Sequence, residues 1–270
     1  MRAQDRFSNP WPRRMLITLV MGYAAALILA PLAALFAGAF REGVAATAAA
    51  LASPEVMAAF RLTLQITLVV AAIHSVFGTL VAWVMVRHRF PGKKLLNGLI
   101  DLPFAVSPVV VGYTLLLLFG RNGLLATLVD ALNVRVAFAV PGMILATLFV
   151  TLPFMIRELI PVLEAFGEQQ EQAAATLGAS AWQIFWRVTL PALRWGFFYG
   201  LTLTFARALG EFGAVLIIGG GVQGRTETAT LLIYHALDER QYTRAYSAAL
   251  VLGLVSLALV LGMNMLRKRR

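Results

Sequence analysis

Long apolar runs separated by short polar stretches set the pattern of this chain. A helix needs roughly 20 apolar residues to cross about 30 Å of hydrocarbon. Six runs reach that length: Met15 to Phe40, Leu62 to Val86, Asn97 to Phe119, Val136 to Ile156, Trp195 to Ile218 and Ala245 to Leu266. The first holds no charge, and the second none apart from a titratable His74. The third is entered through Asp101 and carries Pro103 and Pro108, the fourth carries Pro141 and Pro153, and the fifth holds two charges. Proline inside a span is tolerated where neighbouring helices or water re-satisfy the backbone. These four prolines predict bent helices, either beside a protein-lined path or in kinked packing without one. The pattern predicts an all-α membrane protein with six spans in a single domain over residues 1–270.

Composition agrees. The hydrophobic share is 60% and the charged share 13%, with a mean hydropathy of +0.78. Soluble domains run at about 45–50% apolar and about 25% charged, and surface must be covered with something polar. A soluble enzyme is therefore excluded. The absence of cysteine removes disulfide scaffolds, zinc–thiolate sites and cysteine catalysis.

The net charge of +10 has two readings, nucleic acid or basic loops on one membrane face, and position decides between them. With both termini on one side, that side holds Arg2, Arg6, Arg13, Arg14, Arg87, Arg89, Lys93, Lys94, Arg157, Arg187, Arg194, Arg267, Lys268, Arg269 and Arg270. The opposite side holds only Arg41, Arg61, Arg121, Arg135, Arg225, Arg240 and Arg244, and Arg207 lies inside the fifth run. The acids split evenly, so the bias belongs to Lys and Arg alone and places both termini in the cytoplasm. Basic residues dispersed over several loops make no nucleic-acid stripe. The N-terminus is basic and then apolar, but its apolar run exceeds a signal-peptide core, which predicts an uncleaved first span.

Between the fourth and fifth runs lies a cytoplasmic segment over about 157–194. Glu168 to Leu193 reads EQQEQAAATLGASAWQIFWRVTLPAL. Ala173, Leu177, Ala181, Ile184, Phe185 and Val188 recur at helical spacing. Gly178 predicts a turn between two short helices, and Pro191 an end to the second. Such a segment lies on the membrane or docks a helix into a partner's groove. Glu164, Glu168 and Glu171 suit a partner better than anionic lipid.

This segment resembles the cytoplasmic loop of bacterial ABC importer permeases, patterned E-A-A, three residues, G, nine residues, I, one residue, L-P. Here Ala173 and Ala174 are followed at the same spacing by Gly178, Val188, Leu190 and Pro191. Gln172 stands where the family has Glu, with Glu171 one position earlier, and Val188 replaces Ile. LIDLPFAVSPVV (Leu99 to Val110), GRNGL (Gly120 to Leu124), TLPFMIRELIP (Thr151 to Pro161) and RALGEFGA (Arg207 to Ala214) are similar to the W-type permease of sulfate/thiosulfate importers. They are more loosely similar to molybdate or tungstate permeases, the alternative within the class. The likeness runs from about Phe60 to Ile218 and thins after Gly219.

The resemblance implies the type I permease (MetI-like) fold, set in the bacterial inner membrane. It implies a heterodimer with a paralogous permease, two ATPase subunits and an extracytoplasmic sulfate- or thiosulfate-binding protein. Glu171, Gln172, Ala173, Ala174, Gly178, Val188, Leu190 and Pro191 would couple to the ATPase. ATP and Mg would be bound by that partner, with no cofactor in this chain. A membrane scaffold, the reading from a different class, has no account of the loop spacing.

No reaction centre is visible in the chain. G-x-x-x-x-G-K-[ST] and H-E-x-x-H are missing, so ATP hydrolysis falls to another subunit. His74, His88 and His235 are spread over a span and two loops and read as packed or solvated. His74 and Ser75 are sequence neighbours, so on a helix their side chains diverge. Arg207 and Glu211 carry the two charges of the fifth run, four residues apart on one helix face. An ion pair at membrane depth either self-neutralises to hold a helix or lines a path. On the second reading the two charges lie at the cytoplasmic half of the pathway, and Arg207, Glu211, Phe212 and Gly213 form part of a gate. IGGGVQG (Ile218 to Gly224) reads as a turn on the extracytoplasmic side or as a shallow anion nest with Arg225. The seven arginines of that side either dock a binding protein or are solvated.

Overall fold

The computed structural model describes residues 10–268, with side chains from 14 to 265. Of the residues counted for topology, Arg2, Arg6, Arg269 and Arg270 lie outside the described residues. Helix α1 (Pro10–Ala39) is followed by a short α2 (Val44–Leu51). Helix α3 (Pro54–Arg87) starts earlier than the hydropathy pattern predicts, because Ser53 is extended and Pro54 occupies the first turn, where its missing N–H costs nothing. At 1.5 Å per residue it is roughly 50 Å long and overruns the hydrocarbon at both ends.

The third run is not one helix. It forms α4 (Lys93–Ala105) and α5 (Pro108–Phe119), bent by 112°. Proline disfavours helical backbone in the residue before it, and Val106 and Ser107 are both extended ahead of Pro108. Pro108 thus breaks the run rather than merely bending it, while Pro103 stays inside α4. A single turn α6 (Ala126–Ala131) leads to α7 (Val140–Phe166). Helix α7 keeps Pro153 and Pro161 inside it and runs on past Ile156 to a cap at Gly167, φ 70°. The predicted loop therefore loses its first ten residues, 157–166, to this helix.

What remains of the loop is α8 (Gln169–Thr176), a turn, α9 (Ala181–Ile184) and a π-helical turn (Phe185–Thr189) that flows into α10 (Leu190–Leu209). Pro191 does not end a helix here. It sits in the first turn of α10, where the wider π turn carries the chain past a residue that cannot donate. The fifth run breaks at Gly210 to Phe212. Helix α11 (Gly213–Gly219) follows at 56° to α10. Helices α12 (Ala229–Asp238) and α13 (Tyr242–Lys268) complete the chain, so His235 lies in a helix rather than a loop.

Among the described residues four helices are each long and apolar enough to cross a membrane, and the two bent pairs bring the total to six. Helices α3, α7 and α10 form the centre. Two buried clusters run along their contact, one around Val70, Met143, Val150 and Ile218, the other around Met85, Met155, Leu159 and Leu193. Close approach needs small residues, as membrane helix packing generally does. A Cβ on Gly78 would lie 2.8 Å from Met155 Cγ. Helix α1 packs on α13 at the periphery and leaves a long apolar surface exposed.

Candidate functional site

The predicted coupling residues divide into a tip and a root. The tip is the α8–Gly178–α9 hairpin. Gly178 has φ 85° and nothing within 4 Å of where a Cβ would stand, so its requirement is left-handed backbone, not space. Ser180 caps α9, accepting from Gln183 N at 3.4 Å while its own N–H donates to Gln183 Oε1 at 2.9 Å, a capping box. Leu177 is 89% exposed and Trp182 69%, an exposed apolar tip in which Trp182 packs only against its neighbours Phe185 and Trp186 among the described residues. Gln172 and Ala173 are exposed, with Gln172 Nε2 donating to Glu168 Oε2 at 3.3 Å. Ala174 is half-buried beneath them.

The root faces inward. Glu171 is turned toward the bundle. Its carboxylate meets Arg87 Nε at 2.8 Å and accepts from Thr189 Oγ1 at 2.7 Å. Val188 and Leu190 are half-buried beside Thr189, and Pro191 is exposed. Arg87 entered the sequence reading only as a topology charge. Its position directly after a long apolar run was its one signal. Arg157 was assigned to the loop, yet in α7 it holds Asp101 of α4 through Nε at 2.7 Å and Nη2 at 2.5 Å, with Asn97 Oδ1 at 3.0 Å.

Arg207 and Glu211 do pair, Nη1 to Oε2 at 2.8 Å, but across the helix break rather than along one helix. The side chain of Glu211 is 2% exposed and that of Arg207 30%. Glu211 Oε1 accepts from Ala214 N at 3.0 Å, so the carboxylate caps α11, and Thr230 Oγ1 donates to the Glu211 carbonyl at 2.6 Å. Phe212 packs against Tyr234, ring centroids 5.4 Å apart. Gly213 abuts α5, its Cβ position 3.0 Å from Val109 Cγ2. The coupling root and the break are the two ends of α10, 20 residues or roughly 30 Å apart, so the Arg207–Glu211 pair stands at the end of α10 away from the coupling loop, whereas the sequence reading set it in the cytoplasmic half.

His74 is packed, its Nε2 within hydrogen-bonding range of Thr151 Oγ1 at 3.0 Å and Leu148 O at 3.2 Å. Ser75 turns away to its own helix, donating to Ala71 O at 2.7 Å. The glycine run is a held turn: Thr226 Oγ1 donates to Gly219 O at 2.7 Å and accepts from Val222 N at 3.0 Å. Beyond it, buried Glu227 meets His235 Nδ1 at 2.7 Å, a pair that the sequence reading missed. At this end Arg121, Arg135 and Arg225, with Asp130, line one open cavity of ≈ 740 Å³.

Residues 74–269 match the model of the binding-protein-dependent transport system inner membrane component family. The chain is 43% identical to the sulfate transport system permease protein CysW of Escherichia coli (strain K12), over 96% of this chain and 89% of that protein. It is 38% identical to the sulfate transport system permease protein CysT of the same organism, over 95% of each. The likeness thus extends through the region after Gly219. A crystal structure of a bacterial ABC transporter involved in the import of the acidic polysaccharide alginate superposes with a TM-score of 0.79, covering 96% of each chain at 18% identity. At that identity the superposition speaks to fold alone. The six-span helical architecture, the protruding α8–α9 hairpin and the family match agree, and the chain belongs to the binding-protein-dependent transport system inner membrane component family, as an ABC importer permease subunit with no hydrolytic centre of its own.

Proposed function

We propose that this chain is the W-type permease subunit of an ATP-driven sulfate/thiosulfate importer, with both termini in the cytoplasm. The observation that carries the substrate is the 43% identity, over nearly the full length of both chains, to a permease named for sulfate. One organism holding both a CysW and a CysT relative supports a heterodimer of this chain with a paralogous permease. Two ATPase subunits supply ATP and Mg, and a soluble sulfate- or thiosulfate-binding protein docks on the opposite side. The arginines around the cavity at that end suit a dianion, which a path must also release.

The geometry supports a lever. The exposed tip around Gly178 engages the ATPase. Closure of the ATPase pair on ATP displaces the tip, and α10 carries the displacement from Thr189 to the break at Gly210 to Phe212. There Arg207 and Glu211 form part of a gate whose opening admits the anion from outside. Hydrolysis resets the bundle. This is alternating access between two states that bind partner and cargo differently.

The test is to purify the complex by a tag on this chain and measure ATP hydrolysis with the binding protein loaded by sulfate, thiosulfate or molybdate. Stimulation by sulfate or thiosulfate is the expected result. Stimulation by molybdate alone would overturn the substrate, and a chain that copurifies no ATPase would overturn the lever.

A further inference from the structure

One side chain ties together four parts of the molecule that the lever needs to move as a unit. Arg87 is the last residue of α3. Its guanidinium crosses to the end of α7, where Nη1 donates to Leu163 O at 3.3 Å and Nη2 to Gly167 O at 2.5 Å. It crosses also to α8, where Nε donates to Glu171 Oε2 at 2.8 Å and Nη2 to Oε1 at 3.4 Å. Glu171 in turn accepts from Thr189, which is buried at the root of α10. The side chain of Arg87 is 7% exposed and that of Glu171 14%.

Each contact has a reason of its own. Leu163 O already accepts from Gly167 N at 3.2 Å, whereas the carbonyl of the cap residue Gly167 lies beyond the last helical donor, and the C-terminus of a helix favours a cation. A planar guanidinium meets a carboxylate with two parallel donors and has a third edge to spare, which an ammonium lacks. Away from water, neither charge is free to swing into solvent at small cost. The hairpin therefore cannot shift without moving the ends of α3 and α7 or breaking a buried ion pair.

We infer that Arg87 is the positioning residue of coupling: it makes the hairpin rigid with α3 and α7, so that force applied at Gly178 turns the whole bundle instead of bending the loop. This rests on the ATP-coupled permease described above. Without the joint, the ATPase would still bind the tip, but its closure would be absorbed at the root.

The experiment uses the whole complex in proteoliposomes with Arg87→Lys, Arg87→Met and Thr189→Val. Arg87→Lys keeps the charge at the end of α7 and loses the fork on Glu171. Its complexes are expected to carry the full complement of ATPase and to keep basal hydrolysis. Stimulation by loaded binding protein, and uptake per assembled complex, should fall tenfold or more. Thr189→Val should show the same split, about threefold. The chain has no cysteine, so Arg87→Cys with Glu171→Cys gives a second readout: bridging the pair with a short reducible thiosulfonate linker should restore stimulation, and reduction should remove it. Uptake per assembled complex equal to wild type in Arg87→Lys would overturn the joint. So would loss of uptake in Arg87→Met only in proportion to lost ATPase, or bridging without recovery. A wild-type complex with no ATPase would instead overturn the permease reading itself.

Discussion

The two Arg–Glu pairs at the ends of α10 are built in opposite ways. At the root, Arg87 is the more deeply buried partner and uses its donors on a carboxylate and two helix-end carbonyls. At the break, Glu211 is the buried partner and Arg207 stands nearly one-third exposed. The root pair holds three helices together across long sequence separations. The break pair joins neighbouring residues and leaves a guanidinium facing outward. One is a joint with no freedom left in it, and the other has a partner that can leave for water or for an anion. The same two residue types thus mark a fixed point and a movable one, and burial of the cation is what separates them.

The sharpest break of that contrast comes at Arg207. Arg207→Gln leaves a carboxylate that is 2% exposed without its cation, at a cost of about 3–5 kcal/mol. The purified complex should unfold at a markedly lower temperature, and uptake should be lost. Glu211→Gln keeps an acceptor for Ala214 N and leaves only a guanidinium that is 30% exposed, which water can reach, so it should assemble. Its uptake should still fall, because the movable pair is gone. Normal assembly and transport in both variants would remove the gate from the proposed mechanism.

Two glycines sharpen the contrast next. A Cβ on Gly112 of α5 would lie 2.6 Å from the Ala214 carbonyl of α11, and backbone cannot swing aside as a side chain does. Gly112→Ala should cost about 1–3 kcal/mol by pushing α11 off α5, with uptake falling while ATPase still copurifies. At Gly178 the space is open and only the left-handed backbone resists. Gly178→Ala should cost about 1–2 kcal/mol locally, and Gly178→Asn less, since Asn tolerates that region. The measurement is ATPase retained through purification. It should fall in the order Gly, Asn, Ala, Pro, with membrane insertion unchanged throughout. Insertion failing together with docking in Gly178→Pro would mean that the hairpin supports the bundle and not a partner.

Most of the fold was legible because a bilayer enforces span length independently of packing. The helix breaks were less so. Hydropathy does not distinguish a bent span from a broken one, and the break at Gly210 to Phe212 depends on Glu211 capping α11, a contact that exists only after the turn is made. Pro191 was misread as an end because a π turn can carry a helix past proline, and no sequence period announces it. The coupling loop was legible through its spacing. That spacing did not reveal that Glu171 points inward, because the partner that turns it, Arg87, lies 84 residues away. The pairs Arg157–Asp101 and Glu227–His235 escaped for the same reason: tertiary placement decides which charges meet.

The smallest expected effect tests whether the tip must be ordered before it docks. Ser180→Ala removes a capping box from an exposed four-residue helix, at a cost of about 1 kcal/mol. The cap is exposed and bonded only within 180–183 among the described residues, so the melting temperature of the permease and the contacts at the root should not change. Amide exchange should quicken over 181–184 alone. If the ATPase binds a preformed hairpin, the lost order appears in full as affinity, roughly fivefold weaker, and excess ATPase restores uptake. If the hairpin folds only on binding, the serine still caps the bound form, but the free form already exchanges fast and Ser180→Ala leaves its rate unchanged. The exchange rate of the wild-type amides therefore separates a tip that waits in shape, as the rigid root beneath it implies, from one that is shaped by its partner.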